Sequence, residues 1–402
     1  MKREARLGDV VVSMKNGLYK PASEYADDGT PCLRMYNIDA GSIVWRDIKR
    51  MHVSAAELDE YGLREGDLLV NRVNSRELVG KAAFIPSSLE PSVFESKNIR
   101  VRLDASKAVP KFINYQLLAG SRRHFAGHAQ QVVGMASISQ KQLADFPIIL
   151  ADLDEQCCIV AELEKQFSRL DEAVANLKRV KANLDRYVGA TLGEAFSGKW
   201  AGTEADWQSV PLREVADVQL GQQRAPVHAA DANPIPYVRA ANVSWQGLDL
   251  SDVKSMGFPN AARYRLAYGD ILLAEASGSA NEVGKPAIWR DEIPGACYQK
   301  TLIRVRCQPD RLNFEFAYYF FLHAALSGQF ARLAPGVGIL HLTAERMLVW
   351  PTVAPTLRIQ AVVVAEVDRR LSIVREVEAE VDANLMRAQA LRQAVLAKAF
   401  AA

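Results

Sequence analysis

The chain repeats itself at an interval of about 204 positions, and the two copies differ wherever a surface loop is expected. Gly66-Asp67-Leu68-Leu69 returns as Gly269-Asp270-Ile271-Leu272, and Val79-Gly80-Lys81 as Val283-Gly284-Lys285. Ile99-Arg100-Val101-Arg102 returns as Ile303-Arg304-Val305-Arg306, Phe146-Pro147 as Trp350-Pro351, Gln156 as Gln360, and Ala195-Phe196 as Ala399-Phe400. A unit of this length is far beyond the roughly 20–50 residues of a solenoid repeat. It reads as two copies of a whole domain related by a pseudo-twofold axis, each large enough to bury its own core.

Each copy has two parts. Residues 1–150 and 205–354 carry short apolar runs broken by Gly, Pro, Asn and Asp. The alternation in Ile99–Leu103 and Leu302–Arg306 predicts half-buried strands. Helical patches are expected at 110–118 and 314–326, giving a mixed α/β (α+β) module. Long helices follow, within 151–200 and 355–402. From Glu155 to Phe196 there is no proline, and glycine appears only near the far end. Apolar residues recur at Leu163, Phe167, Leu170, Val174, Leu177, Leu184 and Val188, with Lys181 interrupting. The second copy has Val367, Leu371, Val374, Val381, Leu385, Ala388 and Val395, with Glu378 and Arg392 interrupting. This is a heptad seam on helices of about 42 residues, or roughly 60 Å. The pseudo-twofold makes the pairing an antiparallel coiled coil. Residues 197–206 form the joint between copies. A helix lying on its own domain is the alternative reading of each seam.

The sites that would make this an enzyme are missing. Glu282-Val283-Gly284-Lys285-Pro286 lacks the phosphate-cradling glycine and the hydroxyl residue of a P-loop. Gly336-Val337-Gly338 lacks a third glycine. Asn233-Pro234-Ile235-Pro236-Tyr237 breaks the Asn-Pro-Pro-Tyr pattern of adenine methyltransferases and reads as a loop entering a strand at Tyr237. Glu95-Ser96-Lys97 has no preceding Pro-Asp pair. His124 and His128 have no carboxylate or thiolate at ligand spacing, so no metal site is expected. Five cysteines form no CxxC pair, which predicts buried, reduced thiols. With no apolar signal core and no run of about 20 apolar residues, the chain reads as cytoplasmic and without a membrane partner. A net charge of +2 advertises no global field for nucleic acid, which leaves local patches to carry any such contact.

The copies diverge most in two stretches. Between the shared Gly-Asp strand and the shared Val-Gly-Lys, Arg72, Asn74 and Arg76 give way to Ser277, Ser279 and Asn281. After the domain's helix, Arg122, Arg123, His128, Gln130 and Gln131 give way to Gln329 and Arg332. These side chains suit hydrogen bonds to base edges and phosphates; solvated loops that drifted freely are the plain alternative. Lys81 and Lys285 stand at equivalent positions beside the first stretch, suiting a shared phosphate contact. So do Ser137 and Ser139 in one copy, His341 and Thr343 in the other.

The opening Leu7-Gly8-Asp9-Val10, the Gly-Asp-Leu-Leu strand, and Ser139-Gln140-Lys141-Gln142-Leu143-Ala144-Asp145-Phe146-Pro147 leading to Glu155-Gln156 and a long helix resemble the specificity subunit of type I restriction–modification systems. The second copy repeats the pattern, though it lacks a Glu before Gln360. The resemblance spans the chain in the order target-recognition domain, helix, target-recognition domain, helix. It implies a non-catalytic chain in which each domain reads one half of a split, asymmetric site in double-stranded DNA, with the coiled coil setting the gap. It also implies two methyltransferase subunits carrying S-adenosylmethionine, and restriction subunits using ATP and Mg. A two-headed coiled-coil scaffold that binds proteins and never touches DNA is the rival.

Overall fold

The computed structural model describes residues 2–128, 130–132, 135–201, 206–225, 233–277, 279, 282–334 and 340–401; at residues 22, 128 and 130–132 only the backbone is described. The chain divides into two units, one built from residues up to Leu177 with those from Ala383 onward, the other from Lys178–Asp382. Each unit therefore holds one α/β module and parts of both long helices.

The repeat in the sequence is a repeat in topology. In the first unit a four-stranded antiparallel sheet runs in the order Val11–Asn16, Asn98–Leu103, Leu68–Asn71, Ala82–Phe84. In the second the same order is Ala216–Leu220, Leu302–Cys307, Ile271–Ala274, Pro286–Ile288. A three-stranded sheet accompanies each, with a parallel pair between Tyr25–Leu33 and Val93–Phe94, repeated as Ile235–Val238 and Cys297–Tyr298. The opening strand Arg3–Arg6 pairs with Pro147–Leu150, and Ser209–Pro211 with Pro351–Val353, so each module is closed by the strand that leads to its long helix.

The repeated Gly-Asp is a turn built around a buried carboxylate. Gly66 and Gly269 adopt φ of +84° and +86°, a backbone open to glycine at no steric cost. Asp67 accepts the backbone N–H of Arg64 at 2.9 Å and Arg102 Nε at 2.9 Å; Asp270 accepts from Ala267 at 2.8 Å and Arg306 Nε at 2.6 Å. Here the expected half-buried strand is corrected. Arg100 and Arg304 are 4% and 3% exposed, because both faces of the central strand are covered. Arg100 donates to the carbonyls of Glu60 and Gly62 and lies over Phe94; Arg304 pairs with Asp217 and lies over Tyr298.

The long helices run Leu153–Ala195 and Leu357–Ala399. Gln156 and Gln360, both fully buried, tie each helix to its module. Gln156 accepts the backbone N–H of Val109 at 2.8 Å and donates to Lys107 and Ala151 carbonyls, both at 2.9 Å. Gln360 repeats this with Asn313, Arg311 and Pro355. The residue before each glutamine plays no part in these bonds, so the missing Glu of the second copy leaves the clamp intact.

Within each unit the two helices pack antiparallel along the expected seam. In the first, Leu163 and Phe167 bury against Leu396, and Arg392 bonds Asp171 while lying 4.6 Å over Phe167. In the second, Lys181 bonds Asp382 at 2.6 Å and Arg370 reaches Glu194 at 3.4 Å. Lys181 and Arg392, which break the apolar pattern, thus have carboxylates facing them. Among the described residues no helix is long and apolar enough to cross a membrane, and no group of three His, Cys, Asp or Glu could hold a metal ion. The thiols divide, with Cys32 and Cys297 buried and Cys157 and Cys158 exposed at the outer face of the first helix's opening turns, contrary to the expectation that all are buried.

Candidate nucleic-acid interface

In each module the first divergent stretch pairs with a strand that follows the module's helix. In the first unit Val73–Asn74 pairs with Met135–Ser137, Ser137 opposite Val73, and the Ile138 N–H donates to the Arg72 carbonyl at 2.9 Å. The strand Gln130–Val132 continues this small sheet, Gln130 opposite Ser137. In the second unit Ala276–Ser277 pairs with Leu340–His341, and the Leu342 N–H donates to the Glu275 carbonyl at 2.7 Å. Segments more than 60 residues apart in sequence are thereby held edge to edge on each module.

The frames match, but their side chains differ in charge. Arg72 is half-buried; its Nη1 lies 3.4 Å from the Ser96 carbonyl and its Nε has no partner. The equivalent residue of the second unit is Glu275, which meets His341 Nδ1 at 3.1 Å. Asn74 is buried, donating to Asn71 Oδ1 at 2.7 Å and accepting the Ser75 N–H, so it shapes the loop from beneath. Arg76 is exposed and donates to the Ala126 carbonyl at 2.9 Å. Ser277 accepts the Ser279 N–H at 3.0 Å, and Ser279 itself is exposed; Asn281 lies outside the described residues.

The equivalent lysines have different surroundings. Burial lowers the pKa of Lys81, with Asp39 opposing the shift. Lys285 is bonded to Glu282 and lies 5.7 Å over Trp245. That bond holds the Glu282 carboxyl below its ordinary range. Ser139 and Thr343 both cap short helices, accepting the N–H of Gln142 at 3.2 Å and of Arg346 at 3.3 Å.

The second stretch is helical, where the sequence suggested a loop. The first module's helix runs Pro110–His128 and carries Arg122 and Arg123, both exposed. Phe125 packs beneath it against Gly80, and Ser121 Oγ donates to the Gly80 carbonyl at 2.9 Å. The counterpart helix ends at Leu326, because Gly328 takes a left-handed φ of +70° and starts a new turn, Gln329–Leu333. There Gln329 donates to Ser327 Oγ at 3.1 Å, and exposed Arg332 donates to the Ser327 carbonyl at 3.3 Å. For His128, Gln130 and Gln131 only the backbone is described.

The sequence reading passed over a third segment on the same edge. Residues Arg34–Asn37 leave the strand Tyr25–Leu33 beside Glu95 and Ser96, the latter being the residue whose carbonyl Arg72 approaches. The buried pair Asn71 and Asn98, bonded at 3.1 Å, joins the two loops, since Asn98 Nδ2 also donates to the Leu33 carbonyl. The signal was present as Arg34-x-x-Asn37 returning as Arg239-x-x-Asn242.

No protein-family model matches the chain. It is 28% identical over 236 residues to the EcoKI specificity subunit of Escherichia coli K12, covering 58% of this chain and 48% of that protein. It is 23% identical over 406 residues to the StySPI specificity subunit of Salmonella potsdam, covering 93% and 82%. A chain from a solved type I restriction–modification system, described for its complex assembly and conformational transition, matches with a TM-score of 0.74 at 18% identity. That match covers 99% of this chain and 97% of the other. Along its length the chain is similar to type I specificity subunits. The HsdS subunit of Thermoanaerobacter tengcongensis shares the fold, with a TM-score of 0.51 at 19% identity over 99% of this chain and 96% of that one. The α/β modules followed by long helices are the architecture that the sequence resemblance implies. The chain spans about half the length of the EcoKI specificity subunit.

Proposed function

We propose that this chain is the DNA-recognition subunit of a type I restriction–modification complex, one α/β module reading each half of a split, asymmetric site. The observation that carries this is the pairing of one repeated frame with unlike loops, Arg72 in one module and Glu275 in the other. A cation and an acid at equivalent positions present opposite hydrogen-bonding character to a base edge, as unlike half-sites require. Of the candidate side chains, Arg76, Arg122, Arg123, Ser279 and Arg332 are exposed and Arg72 is half-buried, which supports contact with a duplex in this reading. Asn74 shapes its loop from beneath, and Ser139 and Thr343 cap short helices.

In this reading the chain performs no chemistry. Methyltransferase subunits, two per complex, carry S-adenosylmethionine, and restriction subunits supply ATP- and Mg-dependent cleavage. The paired helices set the gap between half-sites and offer the assembly surface. The complex works in the cytoplasm on double-stranded DNA.

The test is to co-express the chain with its methyltransferase partner and read the methylated sequence by long-read sequencing. Replacing residues 1–150 with another recognition domain should change one half of the methylated sequence and leave the other half and the gap unaltered. A change in both halves contradicts one-domain-per-half reading. A complex with no sequence preference favours the protein-binding scaffold.

A further inference from the structure

Tyr36 is 66% exposed, yet it stands on one of the most tightly fixed turns of the first module. Its neighbours Met35 and Asn37 are 8% and 1% exposed. Asn37 accepts the Arg34 N–H at 3.0 Å and donates to the carbonyls of Val44 and Arg46 at 3.1 and 2.9 Å. The Met35 N–H donates to Glu95 Oε1 at 2.9 Å. A phenol ring held out into solvent by a buried frame loses little entropy on contact, because only its own two torsions remain to be fixed.

An arginine lies beside the ring. The Arg34 guanidinium lies 5.6 Å from the Tyr36 ring, anchored by the Asp47 carbonyl at 3.1 Å, with its Nε unpartnered. Arg72, also with an unpartnered Nε, lies across Ser96 on the same edge. The second module keeps the frame and discards the reader. Asn242 accepts the Arg239 N–H at 3.1 Å and donates to the Asp249 and Asp252 carbonyls, as Asn37 does in its own turn. The positions of Met35 and Tyr36, however, are Ala240 and Ala241, and Arg239 is neutralised by the Asp252 carboxylate at 2.6 Å.

The geometry points to Tyr36 as a specificity-determining residue of the first module, its ring and hydroxyl contacting a base of that module's half-site while Arg34 and Arg72 hold the adjacent backbone. This rests on the DNA-recognition reading above. A contact to a base edge contributes discrimination of roughly tenfold or more, whereas stacking of the ring on a base adds affinity, and the second module, lacking the ring, reads its half-site by other groups.

The experiment uses the full chain assembled with its methyltransferase subunits, with methylation kcat/KM measured on the target duplex and on duplexes changed one base at a time in each half. Tyr36→Ala imposes what the second module already has at that place, so the turn tolerates it. The expected result is a fall of about tenfold on the target, with discrimination reduced at one or two positions of the first module's half-site. Discrimination across the other half-site stays as in the wild type, which also reports that the complex is assembled. Tyr36→Phe retains part of the effect if the ring makes the contact. An unchanged profile, or a uniform fall on every duplex as a backbone contact or lost structure would give, overturns the assignment. A wild-type complex that shows no sequence preference takes the DNA-recognition reading down with it.

Discussion

Two glutamines fix where each module meets its long helix. Gln156, itself fully buried, satisfies one backbone N–H and two carbonyls at the edge of the core, and Gln360 does the same in the second unit. Gln156→Leu keeps the volume and removes all three bonds, leaving partly buried backbone groups without their partner. Each such group costs about 1–3 kcal/mol, so a loss of roughly 3 kcal/mol is expected after local relaxation. Chemical denaturation should show the first unit unfolding earlier; a midpoint unchanged from wild type would mean that water or another side chain takes over. In the sequence the match of Gln156 with Gln360 was visible, but its role was not. Its partners Val109 and Lys107 lie 47 and 49 residues away, a distance that no local pattern encodes. The reverse held for Ser139 and Thr343, whose hydroxyls invited a phosphate reading and turn out to cap helices.

At the scale of elements, long periodic segments were the readable part. Both helices lie where the seam placed them, since a heptad repeat states which face is buried whatever it packs against. Two elements escaped. The strand Asn98–Leu103 looked half-exposed because arginine alternates with apolar residues, and only the fold reveals the carbonyls and Asp67 that receive those guanidinium groups. The helix Pro110–His128 outran its expected end because the first copy has no glycine in the place where Gly328 turns left-handed. The interruptions of the seam carry their own prediction. Lys181 faces Asp382 at 2.6 Å, and the neighbouring carboxylates Glu378 and Asp185 add to the bond that raises its pKa. Lys181→Asp places like charges together and should lower the melting temperature of the second unit. Adding Asp382→Lys should recover most of that loss at low salt and less at high salt, because exposed pairs are screened. Additive effects in the double variant, measured by thermal melts at two ionic strengths, would show that the pair does not set the register.

For the molecule as a whole, the proposed function turns the paired helices into a ruler, and a ruler can be lengthened. One heptad inserted in each helix at matching points adds about 10 Å at 1.5 Å per residue, close to three base pairs of B-form DNA at about 3.4 Å each. Seven residues fall only about 20° from two full turns, so the seam re-pairs and each module keeps its facing. The duplex, in contrast, turns by roughly 100° over three base pairs, given about 10 per turn. The expected outcome is methylation of a sequence with both half-sites intact and a gap longer by about three base pairs, at a reduced rate because the DNA must untwist to present both grooves. A two-residue insertion is the control, since it rotates the apolar face by about 200° and should abolish pairing of the helices and methylation together. A heptad variant that still methylates the original gap would remove the ruler role, leaving the helices as an assembly surface and the gap to be set by the partner subunits.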